Sequence, residues 1–393
     1  MNGALKHCSD GASYNRDCAD CLLQGTPECA TVTRPPHGGS SKESQCSIRN
    51  AGFSLFAIPA PGGIRYLCGM NVIVDPNGPS LANVPSNPVP EGARVGMFTT
   101  SDKIRLRYAL FPKGPGAAKG TICLVQGRTE FIEKYFETIA DFQSRGFAVA
   151  TFDWRGQGGS QRLIGNKRLG HVNRFDDYWT DLKSFHGSIL LPDCPGPYYL
   201  VGHSMGGLAS LYAGLRDRMM FDRIFLSAPM VGLDRQPFSM AGMGRLAGTL
   251  KLLGLGRLPL GRKSDRSAAE MPFAGNPVTS DVTRYMRSVD VLQARPDLEV
   301  GHPTVSWAAA AFSAMARAGL DDFPGAIKIP VLMLAAARDE IVSTSAIETL
   351  GLRMRTGRHA IIASAKHELF MENDGIRAQV FAAFDAFITN QSG

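Results

Sequence analysis

Residues 198–211 read YYLVGHSMGGLASL, and this stretch decides the fold. An apolar run at 198–201 meets the pattern GHSMG at 202–206, after which small and apolar residues continue at helical spacing. The pattern predicts a strand, a tight turn and a helix, with glycines that let the strand and helix close around a strained turn residue. Such a turn presents the hydroxyl of Ser204 at the carboxyl end of the strand. We predict that Ser204 is a nucleophile; the alternative is a buried serine in a glycine-rich packing turn.

The composition is that of a soluble globular protein. The chain has 393 residues, of which 44% are hydrophobic and 20% charged. This length exceeds one average domain but fits one large α/β domain with an insertion. The net charge is +7, yet no lysine and arginine cluster is interleaved with aromatic residues in the way that indicates a nucleic-acid surface. We therefore expect no nucleic-acid partner.

The cysteines are concentrated near the start of the chain. Eight are present, and five of them fall in the first 46 residues. Cys18 and Cys21 have the spacing of a zinc-ligand pair, but no second pair follows, and the nearest histidines are distant in sequence. We expect no metal site, and we expect reduced thiols in a reducing compartment, which favours the cytoplasm.

Residues 1–88 differ in composition from the rest of the chain. They are rich in Ser, Gly, Pro, Asn and Cys, and prolines and glycines interrupt the apolar residues between 51 and 74. This composition argues against a membrane span and against a signal peptide. We predict an N-terminal extension, much of it poorly ordered; translation beginning near Met70 is an open alternative.

From about residue 89, apolar runs of strand length alternate with helical patterns. This alternation, with strands that are apolar throughout, predicts a mostly parallel central sheet with helices on both faces. In such sheets, ligand sites form at the carboxyl ends of the strands. The predicted strands are 95–99, 104–111, 121–125, 147–152, 198–201, 224–228, 331–336 and 360–363, and the predicted helices include 131–143, 178–189 and 307–318.

Two further residues are needed to make Ser204 reactive. A serine hydroxyl requires a base, and the base requires a partner that fixes its tautomer. Asp339 follows the strand at 331–336, and His367 follows the strand at 360–363. Because both positions lie at strand carboxyl ends, we predict Asp339 as the acid and His367 as the base. Glu340 and Glu368 adjoin this pair and are alternatives to it. His203 adjoins the serine but should face away from it, and His171, His186 and His302 lack a strand end and an acid placed to orient them.

The loop after the strand at 121–125 reads QGRTE at 126–130. Gly127 would let the backbone approach a ligand closely. The N–H of Arg128 is therefore a candidate donor to the oxyanion of a tetrahedral intermediate, beside the N–H of Met205. Loss of one such donor lowers the rate by about 10²- to 10³-fold. The alternative is an ordinary strand-to-helix turn.

Five stretches together carry a resemblance to a known family. They are GHSMGG at 202–207, DWRGQGGS at 153–160, GHVNRFDDYWTDL at 170–182, NPVTSD at 276–281 and AKHELFMEND at 365–374. On these motifs, the chain from about residue 88 onward resembles the serine hydrolases of the α/β-hydrolase fold, within them the monoglyceride-lipase-like and bacterial lysophospholipase branch.

The resemblance places the family's serine, acid and histidine on Ser204, Asp339 and His367, in the same chain order. One departure is that the family's first oxyanion loop often begins His-Gly, whereas here it begins Gln126-Gly127. Because the donor is a backbone group, the substitution should leave the oxyanion hole intact. The loop at 153–160 is interpreted as structural.

The resemblance also implies an inserted helical cap. We divide the chain into an extension at 1–88, core at 89–230, a cap insertion at 231–318 and core at 319–393. Residues 234–266 contain seven Lys or Arg and two acids, with leucines between them. A cap of this kind suits an acyl chain with a polar, phosphate-bearing head, and contact with an anionic membrane surface. The alternative is a cap helix that packs its leucines on the core.

The expected reaction is hydrolysis of a fatty-acyl ester of a lysophospholipid or monoacylglycerol through an acyl-enzyme, with no metal or organic cofactor. The rate should rise with pH as His367 loses its proton. The expected location is the cytoplasm, with peripheral contact with the inner face of the membrane as a further option. A serine peptidase or acyltransferase with the same three residues remains open. A non-catalytic binding protein would normally lack one of the three, and a dehalogenase would carry a carboxylate in place of Ser204.

Overall fold

The computed structural model describes residues 54–60, 63–69, 78–234, 236–261 and 267–389. The chain separates into two compact units, residues 1–78 and 79–393. The cysteines of the first 46 residues, the Cys18 and Cys21 pair among them, and Met70 lie outside the described residues.

In the first unit, the described residues form an antiparallel hairpin of β1 (Ser54–Ala60) and β2 (Gly63–Gly69). The sequence analysis did not predict this hairpin, because the prolines and glycines of the region hide the strand pattern. A two-stranded hairpin leaves its outer backbone edges unpaired, and a proline is tolerated at such an edge. Pro59, which pairs with Ile64, is therefore compatible with a strand.

In the described part of the second unit, the main sheet contains eight strands in the order β10-β9-β8-β7-β5-β6-β4-β3. Strand β4 is antiparallel to both of its neighbours, and the remaining pairs are parallel. The prediction of a mostly parallel sheet is confirmed. The strands are β3 (Arg94–Thr99), β4 (Arg105–Phe111), β5 (Thr121–Val125), β6 (Ala148–Phe152), β7 (Tyr198–His203), β8 (Arg223–Ser227), β9 (Val331–Ala336) and β10 (Gly357–Ile362).

The three helices predicted at 131–143, 178–189 and 307–318 are present to within a few residues of those bounds. The helix predicted at 131–143 begins as a 3-10 turn and then becomes α-helical, and the one predicted at 178–189 ends in a π turn. The helices are α1 (Phe136–Ser144), α2 (Asp176–Phe185), α3 (Ser204–Arg216), α4 (Met240–Leu252), α5 (Val282–Ala294), α6 (Val305–Ala318), α7 (Thr344–Arg353) and α8 (Asp374–Thr389).

Aromatic side chains show that helices cover both faces of this sheet. The register places Phe225 beside Val201, which puts its side chain on the face opposite to that of Phe152. On one face the ring centroids of Phe225 and Phe384, on α8, are 5.4 Å apart. On the other, the ring of Phe152 is 4.7 Å from that of Phe185, on α2. The sheet is therefore buried on both sides, as its continuous apolar strands predict.

The strand order also fixes where a site can form. Strand β5 lies between β6 and β7, so the chain winds to one side of β5 and then crosses to the other. Such a reversal opens a crevice beyond the carboxyl ends of the strands. The loop at 126–130 and Ser204 stand at the carboxyl ends of β5 and β7.

An inserted helical segment separates β8 from β9 and contains α4, α5 and α6. Helix α4 packs on α6 through small residues, since Gly244 and Ala247 are the buried positions of α4. An added Cβ at Gly244 would lie 3.2 Å from the hydroxyl of Ser313. The hydroxyl of Tyr212, on α3, donates to the carbonyl oxygen of Ala314 at 3.0 Å, which joins the segment to the core.

No helix among the residues that the structure describes is long and apolar enough to cross a membrane.

Candidate active site

Ser204 stands on a sharp turn between β7 and α3. Its φ angle is +50°, in the left-handed region that costs a non-glycine residue on the order of 1–3 kcal/mol. An added Cβ at Gly202 would lie 2.6 Å from the hydroxyl of Ser210, and one at Gly206 would lie 2.5 Å from the carbonyl oxygen of Gln126. Glycine is required at both positions because the helix, the strand and the loop after β5 approach so closely.

His367 lies between Ser204 and Asp339. Its Nε2 atom is 3.0 Å from Oγ of Ser204, and its Nδ1 atom is 2.8 Å from Oδ2 of Asp339. The other carboxylate oxygen of Asp339 accepts from the backbone N–H groups of Ile341 and Val342, at 2.8 and 2.9 Å. The structure thus brings together the three side chains that the sequence analysis selected.

The surroundings of Asp339 keep its carboxylate ionised. Burial of its side chain acts to raise its pKa, but the hydrogen bond and charge of His367 and the two backbone donors outweigh it, so the pKa of Asp339 is lowered. An ionised acceptor at Nδ1 holds the proton there and leaves Nε2 free to accept from the serine. Ser204 and His367 are only 7% and 5% exposed, which limits competition from water.

The loop at 126–130 passes directly beside Ser204. An added Cβ at Gly127 would lie 3.2 Å from the Cβ of Ser204. The N–H of Gly127 donates to the Glu130 carboxylate at 2.5 Å, and that of Thr129 donates to the Gln157 side chain at 3.1 Å. Among the described residues, the N–H of Arg128 between them has no acceptor.

Met205 supplies a second N–H beside the serine. It is in the first turn of α3, where backbone N–H groups have no intrahelical acceptor. Both predicted donors therefore belong to residues that adjoin Ser204, one in sequence and one through the contact of Gly127.

The DWRGQGGS loop at 153–160 supports the loop that carries Arg128. Asp153 pairs with Arg107 at 2.7 Å, away from the serine. In addition, the indole N–H of Trp154 donates to the carbonyl oxygen of Gln126 at 2.8 Å, and the side-chain amide of Gln157 donates to that of Gly127 at 3.0 Å. The sequence analysis interpreted this loop as structural but did not identify the residues it holds.

A buried ion network connects the loop at 126–130 with the loop at 363–368, which carries His367 and is called the histidine loop below. Nζ of Lys134 is 3.0 Å from Oε1 of Glu130 and 2.5 Å from Oε1 of Glu368. Burial opposes ionisation of Glu130, but the charge of Lys134 is the main reason that its pKa is nonetheless lowered to about 2. Glu368, which the sequence left open as an alternative to His367, is therefore held by Lys134.

The NPVTSD motif at 276–281 packs on the chain that follows His367. The N–H of Glu368 donates to the carbonyl oxygen of Val278 at 2.8 Å, and the hydroxyl of Thr279 donates to that of Met371 at 2.6 Å. The sequence analysis identified both motifs but did not predict that they are in contact. The inserted segment thus helps to hold the loop that carries the imidazole.

The other histidine candidates have different surroundings. Nδ1 of His203 is 3.1 Å from the carbonyl oxygen of Ser227, and burial lowers the pKa of His203 to about 4. Nδ1 of His171 is 3.0 Å from the hydroxyl of Thr304. Within the described residues, no group of three or more His, Cys, Asp and Glu side chains could hold a metal ion.

A serine, a histidine and an aspartate joined in this order at the carboxyl ends of parallel strands define a serine hydrolase of the α/β-hydrolase fold. A family profile described as "Serine aminopeptidase, S33" matches residues 116–374, and the chain belongs to this family.

The relatives agree with the resemblance seen in the sequence. The chain is 32% identical to lysophospholipase L2 of Escherichia coli K12, over 75% of this chain and 87% of that protein. It is 30% identical to a probable lysophospholipase L2 of Haemophilus influenzae, over 74% of this chain and 90% of the relative. Among solved structures, a soluble variant of the monoglyceride lipase of Saccharomyces cerevisiae matches with a TM-score of 0.60 and 18% identity, over 76% of this chain and 97% of that one. The last match supports the fold alone.

Proposed function

We propose that the protein cleaves a fatty-acyl ester of a lysophospholipid or monoacylglycerol, with Ser204 as nucleophile, His367 as general base and Asp339 as the residue that orients the imidazole. The observation that carries the proposal is the position of His367, with one ring nitrogen 3.0 Å from the serine hydroxyl and the other 2.8 Å from the carboxylate. The relatives named as lysophospholipases support the choice of substrate.

The reaction proceeds in two stages. Ser204 Oγ forms a bond to the ester carbonyl carbon as its proton passes to Nε2 of His367, and the backbone N–H groups of Arg128 and Met205 hold the resulting oxyanion. The ester C–O bond then breaks, and the departing alkoxide takes the proton from His367. In the second stage a water molecule gives its proton to His367 and attacks the acyl-enzyme, which releases the fatty acid and restores the serine.

An aminopeptidase activity, which the family description raises, fits the charges near the site less well. A site for a free amino terminus would offer a carboxylate to the substrate ammonium. Glu130, Glu368 and Asp339 each face a partner already. Arg128 follows Gly127 beside the serine, and its side chain is cationic. No carboxylate in the described part of the chain faces this side chain, so it would repel a substrate ammonium group.

The Ser204→Ala variant tests the proposal. Removal of the nucleophile should lower kcat by about 10⁴-fold or more on any ester that the enzyme cleaves. A panel of a lysophospholipid, a monoacylglycerol of the same chain length, an aryl ester and an aminoacyl anilide identifies the substrate class by released acid or amine.

Ser144→Ala, at the exposed end of α1, serves as the matched control and should retain full activity. Equal turnover by the wild type and Ser204→Ala would remove Ser204 from the mechanism. Cleavage of the anilide alone would replace the ester hydrolase with a peptidase.

The proposal includes peripheral contact with an anionic membrane surface from the cytoplasmic side. Several leucines of the inserted segment are exposed and stand among Arg245, Lys251 and Arg257, which supports this contact, whereas Leu250 packs on the core as the alternative expects. Apolar side chains interleaved with cations are typical of a surface that lies in a lipid headgroup layer. The exposed leucines are Leu246, Leu252, Leu253, Leu255, Leu258 and Leu260.

A further inference from the structure

The side chain of Arg128 extends from the loop beside Ser204 to the contact between core and inserted segment. Its Nη1 donates to the carbonyl oxygen of Gly301 at 2.7 Å, and its Cζ lies 5.3 Å from the ring centre of Trp307. The indole N–H of Trp307 in turn donates to the hydroxyl of Tyr178 at 3.0 Å. The guanidinium is therefore positioned by a carbonyl oxygen and an aromatic face, both neutral.

Arg128 is half-buried and differs in this respect from the buried arginines, of which Arg377 faces Asp141. Arg107 faces Glu133 and Asp153, and Arg155 faces Asp102 and Asp181. For Arg128, no carboxylate in the described part of the chain lies within 4.0 Å. Its Nε and Nη2 donors have no acceptor there either.

The charge of Arg128 persists in this half-buried position. Burial lowers its pKa to about 10, which still leaves the guanidinium protonated at neutral pH. A half-buried cation that faces only neutral groups and keeps unpartnered donors can bind an anion. Its remaining donors form a planar fork that matches the oxygens of a phosphate.

Other cations lie along the same contact. Burial lowers the pKa of His171, and the nearby charges of Arg257 and Lys251 lower it further. Asp177 opposes this effect, so Arg257 and Lys251 only add to the attraction that Arg128 itself has for an anionic group.

The covalent distances in the substrate match this arrangement. The backbone of Arg128 is the proposed donor to the ester oxyanion. From its Cα to the guanidinium carbon, the arginine stem has as many bonds as a 1-acyl lysophospholipid has between its ester oxygen and its phosphorus. The length of the side chain is therefore compatible with contact at both ends of the glycerol unit.

We propose that the guanidinium of Arg128 binds the phosphate of a lysophospholipid headgroup while the N–H of the same residue binds the ester oxyanion. The inference rests on the proposed ester hydrolase function and selects the lysophospholipid over the monoacylglycerol. Arg128 thereby becomes a specificity-determining residue.

The first test is a ratio of rates. For wild type, Arg128→Lys and Arg128→Met, kcat/KM is measured on a lysophosphatidylglycerol and on the monoacylglycerol with the same acyl chain. A hydrogen-bonded ion pair contributes about 1.5–3 kcal/mol, so the ratio should fall by about 10- to 100-fold in Arg128→Met and less in Arg128→Lys. The matched control is Arg358→Met, which removes the same charge from an exposed position on β10 and should leave the ratio unchanged. A ratio that Arg128→Met leaves within threefold of wild type overturns the proposal.

The second test does not depend on turnover. Calorimetry measures binding of a 1-O-alkyl-glycerol 3-phosphate and of the matching 1-O-alkyl-glycerol, which have an ether in place of the ester, and of inorganic phosphate. The wild type should bind the phosphate-bearing ether at least tenfold more tightly than the other two, and Arg128→Met should lose this preference. Equal binding of the two ethers, or a preference that survives in Arg128→Met, refutes the headgroup site. Inorganic phosphate that binds as tightly as the phosphate-bearing ether would indicate a free-anion site and would also refute it. If the ether results hold while no ester is cleaved, the hydrolase proposal fails and the phosphate site stands.

Discussion

His203 and His367 lie with their ring centroids 4.8 Å apart, yet their environments assign them different roles. His367 contacts the serine hydroxyl, whereas Nδ1 of His203 contacts the carbonyl oxygen of Ser227. Burial lowers the pKa of His203 to about 4, against a smaller opposing effect of Glu130. His203 is therefore neutral at physiological pH, and it does not add a second positive charge beside His367 when that residue takes up the serine proton.

This neutral histidine should make the protein sensitive to acid. In the unfolded chain His203 takes up a proton near the ordinary value of about 6.5, whereas in the folded protein its pKa is about 4. Between these values the unfolded state binds more protons, so the contribution of His203 to the free energy of unfolding falls as the pH falls, by on the order of 3 kcal/mol. Urea unfolding at about pH 7 and about pH 4.5 measures the change.

The His203→Asn variant isolates this contribution. Asparagine keeps a donor that can reach Ser227 but does not titrate, so the variant should lose less unfolding free energy over the same pH interval, by about 2 kcal/mol. His359→Asn, on β10, is the matched control and should follow the wild type. An identical pH dependence in the wild type and His203→Asn would contradict the assignment.

Among the elements, the loops after β5 and β10 are joined by Lys134. Its ammonium group binds Glu130, which holds Gly127, and Glu368, which follows His367. The proposed oxyanion donor and the proposed base are thus fixed relative to each other by one buried cation. Lys134 acts as a positioning residue.

The Lys134→Met variant should lose both stability and rate. Two buried carboxylates would be left without their cation, which destabilises the protein by about 3–5 kcal/mol. The two loops would also lose their connection. We expect kcat to fall by about tenfold or more, as for misplaced catalytic groups, with KM within threefold of wild type. Steady-state kinetics well below the unfolding temperature measures both.

Lys134→Arg keeps the charge and should recover much of kcat, while Lys183→Met, at an exposed position on α2, should change neither quantity. If Lys134→Met is less stable but keeps the wild-type kcat, the residue is structural only.

The sequence predicts these elements where the signal is local. The strand, turn and helix at 198–211 follow from an apolar run and two glycines, and the structure contains them. The start of β10 at Gly357 was missed because Arg358 and His359 are polar, which an edge strand permits.

Contacts between distant parts of the chain were beyond the sequence analysis. Lys134 and Glu368 are separated by 234 positions, and Arg128 and Gly301 by 173. The periodicity of the sequence gives no indication that two such distant residues are in contact. Ser204, Asp339 and His367 could still be selected, because each follows a strand and parallel strands end at one edge.

At the scale of the whole molecule, the inserted segment presents several leucines in and after α4 to solvent, whereas Leu292 and Leu298 are buried. Leu252 and Leu253 are 89% and 70% exposed at the end of α4, with Lys251 beside them. Single exposed leucines are ordinary, but a run of them among cations supports the proposed contact with an anionic bilayer.

A double variant, Leu252→Glu with Leu253→Glu, tests this surface. Each leucine that enters the apolar layer contributes about 1.5–3 kcal/mol, so the variant should bind phosphatidylglycerol vesicles at least about 100-fold more weakly. Vesicle sedimentation at low and high salt measures the affinity.

Leu352→Glu, at a position on α7 that is 73% exposed, is the matched control and should bind as the wild type does. The proposed surface is excluded if the double variant and the wild type bind equally, or if the wild type ignores anionic vesicles.

The contact between the NPVTSD motif and the histidine loop has a consequence for engineering. The hydroxyl of Thr279 and the carbonyl oxygen of Met371 are 92 positions apart in sequence, yet they belong to one structural unit. A chimera that grafts the insertion of a relative onto this core would replace one half of that unit and keep the other. Exchange of substrate preference between relatives therefore requires that both halves be transplanted together.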